Sequence, residues 1–203
     1  MPNATSAHQL ITLGQADDRY LWGVNVRAFG AVGDGATDDS AAFNAALAAS
    51  RYVVIPPGTF SISGNVAMSL QGQRLLGAGR TATILSVSTA ANPGITIGSG
   101  LNNVEIGGFT LTRSVAATSG GDGIKCSTVT IGQAKLCDLV VELHYNGLSL
   151  GPTDYSTLEN VISQKNVNDG IYITNTGSDG SCQWSIKGRV LSQKNGRDGV
   201  RIE

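Results

Sequence analysis

The fold is decided by VNVRAFGAVGDGATDDSAAFNAAL, residues Val24 to Leu47. This stretch reads as a strand-like start, a glycine-rich turn and an alanine-rich amphipathic helix. Glycine allows the positive φ angles of a compact turn, and Thr37 or Asp38 can cap the free amide groups at the start of the helix. Phe43 and Leu47 fall at helical spacing, so one stripe of the helix is apolar. The pattern therefore predicts a helix that covers the open end of a coiled sheet.

Three aspartates in this stretch invite comparison with a carboxylate or metal site: Asp34, Asp38 and Asp39. Aspartate is also favoured in turns and at helix N-termini, and clustered acids are only probabilistic markers of a site. We therefore interpret all three as turn and capping residues, and we predict no metal site and no cofactor.

A second informative block is Val53 to Phe60, VVIPPGTF. Together the two blocks resemble the opening segment of the pectate-lyase-like right-handed β-helix family, which includes many bacteriophage tailspikes. That family places a short strand and a Pro-Pro-Gly turn before the first coils. The resemblance implies an all-β fold: a right-handed, single-stranded parallel β-helix with a short N-terminal capping α-helix. It does not identify a reaction, because one fold supports many chemistries.

The chain is long enough for one domain with a core. We expect residues 1–23 to form an N-terminal leader or virion-side segment, residues 24–60 the β-helix opening and capping helix, and residues 61–203 the coils. Within the leader, ADDRYL at Ala16 to Leu21 is similar to a motif of tail-fibre and tailspike N-terminal segments. A solvated leader that docks on the first turn of the core explains it equally well.

Composition excludes several classes of partner and compartment. The net charge of −1 gives no general reason to expect a nucleic acid partner, and the apolar runs are too short to span a bilayer. Three irregularly spaced cysteines suggest neither a disulfide framework nor a metal site. The N-terminus lacks the basic start and apolar core of a secretory signal. This favours a virion protein of the phage tail, assembled in the host cytoplasm, over a secreted protein.

From about residue 94 the sequence repeats a turn glycine followed by an apolar, a variable and an apolar residue, which is the alternation of a strand with one buried face. The repeat glycines lie 29, 24, 23 and 29 residues apart: Gly94, Gly123, Gly147, Gly170 and Gly199. A second strand series lies upstream, at Phe109–Leu111, Leu139–Val141, Val161–Ser163 and Val190–Ser192. A third, fainter series lies at Val104–Ile106, Val129–Ile131 and Trp184–Ile186. Short strands at this period without intervening helices predict the coils of a parallel β-helix.

Stacking of these coils predicts two inward apolar ladders. The first is Ile95, Ile124, Leu148, Ile171 and Val200, and the second is Ile97, Cys126, Leu150, Ile173 and Ile202. At the turns, Asn166 aligns with Asn195, which predicts a hydrogen-bonded asparagine ladder. Lys165 aligns with Glu142 on the preceding coil, which predicts a modest surface ion pair.

The outward position between the two ladders offers a candidate binding row: Thr96, Lys125, Ser149, Tyr172 and Arg201. A sugar chain can stack on Tyr172 while Lys125 and Arg201 bind its carboxylates or hydroxyls. The alternative is a solvated sheet face, because exposed polar positions are the default.

Candidate catalytic acids come from the residues that precede the repeat glycines. Asp122, Asp169 and Asp198 hold this place, with Asn146 at the equivalent position. Asp-Gly is a turn signal. The functional alternative is that Asp169 and Asp198, on neighbouring coils, form the carboxylate pair of a retaining glycosidase.

These features, with the family resemblance, predict part of a phage tailspike or receptor-binding protein that acts on a bacterial surface polysaccharide. The resemblance implies a homotrimer, contact with phage tail or baseplate proteins through residues 1–23, and glycoside hydrolase or lyase activity in the intact protein. The sequence ends one residue after Ile202, so we expect either a fragment or an end covered by another chain. The alternatives are a free polysaccharide lyase or hydrolase of the same fold, and a non-catalytic structural tail module.

Overall fold

The computed structural model describes residues 23–126, 132–153, 155–174 and 183–203. Parallel strands stack in two sheets, and within the described residues the smaller sheet has six strands, one for each turn of the solenoid. The prediction of an all-β parallel β-helix with an N-terminal capping helix is confirmed. No helix of the described residues combines the length and the apolar character that crossing a membrane requires.

The elements follow one another in a repeating order. The opening segment contains β1 (Val24–Asn25), a short 3-10 helix (Val26–Phe29), β2 (Asp34–Asp38) and α1 (Ser40–Ala49). The long sheet continues with β3 (Tyr52–Ile55), β4 (Gly58–Ile62), β6 (Arg74–Gly77), β7 (Thr83–Val87), β9 (Val104–Arg113), β11 (Ala134–Glu142), β13 (Ser156–Gln164), β15 (Trp184–Lys187) and β16 (Leu191–Gln193). The smaller sheet contains β5 (Val66–Met68), β8 (Ile95–Ile97), β10 (Ile124–Cys126), β12 (Leu148–Leu150), β14 (Ile171–Ile173) and β17 (Val200–Ile202).

Helix α1 is a cap on the solenoid, as its apolar stripe predicts. Phe43 and Leu47 are fully buried, and the ring of Phe43 meets that of Phe60 edge to face at 5.5 Å between centroids. The N-cap is Asp39, one residue beyond the predicted candidates, and its side chain makes no capping hydrogen bond. Asp38 instead binds the first helical residue: its Oδ1 accepts the amide and the hydroxyl of Ser40 at 3.1 and 2.6 Å. The helix therefore seals the apolar end of the coils from water.

The other two aspartates of the opening stretch also have structural partners. Asp34 accepts the amides of Ala36 and Thr37 at 2.9 and 2.8 Å. Asp39 is buried and accepts the amides of Val32 and Gly33 at 2.7 and 3.2 Å. Turn and capping roles thus account for all three carboxylates.

The inward ladders form the core. All members on β8, β10, β12 and β14 are buried, and the pairing aligns them as the glycine repeat predicts. The sequence reading missed Val66 and Met68, which extend both ladders by one coil. Val200 and Ile202 align with the ladders but are 54% and 71% exposed on the outermost described coil.

The second and third strand series of the sequence prediction are continuous in the structure. On three coils they form single bent strands, β9, β11 and β13, and each bend lies at a residue of positive φ: Gly108, Asp138 and Asn160. Val129–Ile131 lies outside the described residues, and the segment that pairs with Val104–Ile106 is Ala134–Leu136. That assignment of the third series was therefore wrong, because the small side chain of Ala134 gives Ala134–Leu136 a weak apolar signal.

The predicted turn contacts are present. Asn195 accepts the backbone amide and the side-chain amide of Asn166 at 3.1 and 3.0 Å, and Asn166 accepts the amide of His144 at 3.0 Å. The Nζ atom of Lys165 lies 3.4 Å from Glu142. These contacts hold successive coils in register.

Candidate functional site

A groove lies along the outer face of the smaller sheet. Lys125 pairs with Ser149, and Ser149 pairs with Tyr172, so the three outward side chains stand in a row across β10, β12 and β14. They line a cavity of about 340 Å³ together with Asp122 and Tyr145 from the adjoining turns. We call this cavity the sheet groove.

The predicted row continues onto Arg201, which lies beside the groove. Its guanidinium lies 5.8 Å from the centroid of the Tyr172 ring, a cation–π distance, and it forms an ion pair with Glu203. The Tyr172 hydroxyl donates to Glu203 at 2.7 Å. Lys125 and Tyr172 therefore line the groove directly, whereas Arg201 holds the Tyr172 ring in place.

Asp122 is the buried acid of the groove. It is 4% exposed, and its Oδ1 accepts the backbone and side-chain amides of Asn146 at 3.2 and 2.9 Å. Burial raises the pKa of the Asp122 carboxyl above its ordinary value, and this effect outweighs the hydrogen bonds and the charge of Lys125. A carboxyl that holds its proton at higher pH can act as an acid. In the sequence, Asp122 shows only the Asp-Gly signal of a turn.

The positions before the repeat glycines form a polar ladder. Each side-chain oxygen accepts the backbone amide of the equivalent residue on the next coil: Asn146 donates to Asp122 at 3.2 Å, Asp169 to Asn146 at 3.2 Å, and Asp198 to Asp169 at 3.1 Å. These residues therefore tie successive coils together at the turns that precede the repeat glycines. Because Asn146 fills the same place as the aspartates, the ladder needs an acceptor oxygen and not a charge.

Asp169 and Asp198 are adjacent along the ladder, with Arg197 in contact with both. Arg197 donates from Nε to Asp169 Oδ1 at 2.9 Å and also pairs through its Nη2 with Asp169 Oδ2, while its Nε lies 3.8 Å from Asp198. The hydrogen bond from Arg197 holds the pKa of Asp169 below its ordinary value. The catalytic assignment of this pair stays a prediction, and these contacts give Asp169 a structural partner instead.

A buried Arg113–His144 pair supports the turn that carries Asp122. Arg113 donates to His144 Nδ1 at 3.2 Å and to the carbonyls of Asn92 and Gly121 at 2.8 and 3.1 Å. Desolvation, with the nearby Arg113 charge, lowers the pKa of His144 to about 3, so the imidazole is neutral at pH 7. No local sequence pattern predicts this contact, because Arg113 and His144 lie on different coils.

The two cysteines of the described residues, Cys126 and Cys137, are free thiols and are buried. Burial raises the pKa of Cys126 to about 12 and that of Cys137 to about 11, so both are thiols at neutral pH. Cys182 lies outside the described residues. Over the part of the chain that is described, no three His, Cys, Asp or Glu side chains converge as metal ligands.

Comparison with known proteins places the chain among β-helix proteins. A family model described as "Rhamnogalacturonase A/epimerase, pectate lyase-like" matches residues 23–202. The pre-neck appendage protein of Bacillus phage phi29 is 28% identical over 182 residues, which cover 81% of this chain and 21% of that protein. The chain thus spans about a fifth of the length of the curated relatives it matches.

Solved structures share the fold. The Agl-KA catalytic domain matches with a TM-score of 0.71 and 20% identity, covering 89% of this chain and 34% of that one. ORF18 of Geobacillus virus E2 matches with a TM-score of 0.69 and 18% identity, covering 97% and 45%. At these identities the likeness shows a common architecture.

Proposed function

The chain belongs to the Rhamnogalacturonase A/epimerase, pectate lyase-like family, and we propose that it is the β-helix part of a phage virion appendage that recognises a bacterial surface polysaccharide. Its relatives are named pre-neck appendage proteins of Bacillus phages, and a Geobacillus virus protein has the same fold. The proposal includes a location in the phage tail after assembly in the host cytoplasm. It also includes a homotrimeric state and attachment through residues 1–23, both on the family resemblance.

The proposal of polysaccharide recognition rests on the lining of the sheet groove. Tyr172 offers an aromatic surface, and its orientation is fixed by Arg201 and Glu203. Lys125 provides a cation that, among the described residues, lies within ion-pair distance of no acidic side chain. A groove with an aromatic wall, a few polar groups and one such cation suits a sugar chain that carries acidic groups.

Degradation of the polysaccharide is the second part of the proposal and concerns the intact protein. We propose Asp122 as the proton donor, because this residue lines the groove and burial raises the pKa of its carboxyl. Asp169 is less suited to this role, because Arg197 keeps it ionised. The Asp169–Asp198 pair remains the alternative acid pair.

Binding is tested with acidic oligosaccharides, for which oligomannuronate is a suitable probe. Lys125→Ala and Tyr172→Ala should each weaken binding about tenfold, which corresponds to about 1.4 kcal/mol, and the affinity should fall as salt rises. Lys165→Ala is the matched control, because this lysine is paired with Glu142 outside the groove. Equal binding by all three variants would favour the structural tail module.

A further inference from the structure

A second concave surface lies on the long sheet, where β9, β11 and β13 begin. Asn103, Gln133 and Tyr155 stand immediately before strand segments that pair in register, so they stack on three successive coils. With Glu105 and Lys135 they line a cavity of about 260 Å³. We call it the Tyr155 surface. It shares no lining residue with the sheet groove.

Tyr155 combines exposure with backbone strain. Its side chain is 72% exposed, and its φ of 54° lies in the left-handed region that bulky residues rarely adopt. Asn103, on the same stack, has a φ of 58°, which asparagine tolerates well. The tyrosine therefore occupies a place that suits asparagine better, and burial does not compensate for the strain.

The charges beside Tyr155 are mutually paired. Glu105 lies 3.5 Å from Arg74 and 3.4 Å from Lys135, and Lys135 lies 3.3 Å from Glu159. Glu159 pairs with Lys135 from outside the cavity lining. With it, two cations and two anions cancel, and the surface offers donors and acceptors without a net charge. Such a surface suits the hydroxyl groups of an uncharged ligand better than a carboxylate or a phosphate.

We propose that the Tyr155 surface is a second carbohydrate site, which binds a neutral oligosaccharide segment. One sugar ring stacks on the exposed face of Tyr155, and its hydroxyls meet the side chains of Gln133, Lys135 and Glu105. Because neighbouring coils are about 4.8 Å apart, the stack can accommodate more than one sugar unit. The site differs from the sheet groove in sheet, in residues and in the charge of its ligand.

The test uses the full chain labelled with ¹³C at its tyrosines and titrated with maltohexaose and with cellohexaose. The Tyr155 ring signals should shift with at least one of these sugars while those of Tyr172 stay in place. Tyr155→Phe should keep the binding. Tyr155→Asn should weaken it at least about tenfold and should fold normally, because Asn103 already holds the equivalent conformation.

Three results would overturn the proposal. The first is an unchanged Tyr155 signal with both sugars, and the second is equal binding by Tyr155→Asn. The third is a Tyr155 signal that depends on protein concentration instead of sugar, which would assign the ring to a contact between copies of the chain. The proposed function is tested separately, because Lys125→Ala affects the acidic probe at the sheet groove and leaves the neutral sugars unaffected.

Discussion

At the scale of single residues, the same side chain has opposite environments at two rungs of one ladder. Asp122 is buried beside the sheet groove and its pKa is raised, whereas Asp169 accepts hydrogen bonds from Arg197 and its pKa is lowered. The sequence shows both as an aspartate before a glycine. What separates them is a partner on another coil, which a local pattern does not reveal.

This contrast predicts that Asp→Asn has opposite effects on the free energy of unfolding at positions 122 and 169. Because folding raises the pKa of Asp122, the folded state loses stability as the pH rises through its unfolded and then its folded pKa. Asp122→Asn removes that loss and keeps the acceptor oxygen, as Asn146 does on the next coil. The variant should be at least as stable as the wild type at pH 7, and its advantage should vanish below the ordinary aspartate pKa of 3.8.

Asp169→Asn should behave in the opposite way. A lowered pKa contributes stability above the unfolded pKa of 3.8, and that contribution is lost as the pH falls through the folded value. Since Arg197 is partly exposed, we expect a loss of about 1 kcal/mol at pH 7, and a smaller loss in acid. Urea unfolding of both variants at pH 3 and pH 7 measures the effects, and parallel pH profiles would contradict the account.

Adjacent residues of β14 test the register. Ile171 is buried, so Ile171→Asp places an unpaired charge in the core and should abolish soluble expression of the folded chain. Tyr172 points outward, so Tyr172→Ser should change the free energy of unfolding by less than about 1 kcal/mol. Circular dichroism and thermal melting compare the two. Similar stability of both variants would mean that the strand is one residue out of register.

At the scale of elements, helix α1 covers the end of the solenoid, and the bent strands form the corners of its coils. The helix position follows from its sequence, because apolar spacing at the helical period is a local signal. The bends do not, since Asp138 and Asn160 adopt a left-handed conformation in the middle of continuous strands. The sequence pattern therefore showed two strand series where the structure has one strand with a corner.

Truncation of the helix core should be costly. Phe43→Ala removes a fully buried ring that packs on Phe60, so we expect a loss of about 3 to 5 kcal/mol. Ala48→Gln, on the exposed side of the same helix, is the control and should change stability by less than about 0.5 kcal/mol. Denaturant unfolding measures both, and an unchanged midpoint for Phe43→Ala would remove the capping role.

At the scale of the whole molecule, the two opening blocks and the glycine repeat together predicted the architecture, and the repeat predicted the outward row of the smaller sheet. It predicted the ladders because each coil repeats one apolar alternation. It missed Val66 and Met68, which have no glycine directly before them. It also missed Arg113, Arg197 and the position of Asp122 in the groove, because these contacts join residues of different coils or turns.

The central claim is that the sheet groove binds the polysaccharide, and the most direct measurement is the ¹³C-tyrosine spectrum of the chain during titration with oligomannuronate. Tyr145 and Tyr172 line the groove, whereas Tyr52 and Tyr155 lie outside it. The account predicts saturable shifts of Tyr145 and Tyr172 that diminish with added salt and that need about tenfold more oligosaccharide in Lys125→Ala. Binding that leaves both signals in place, or no binding at low salt, would contradict it.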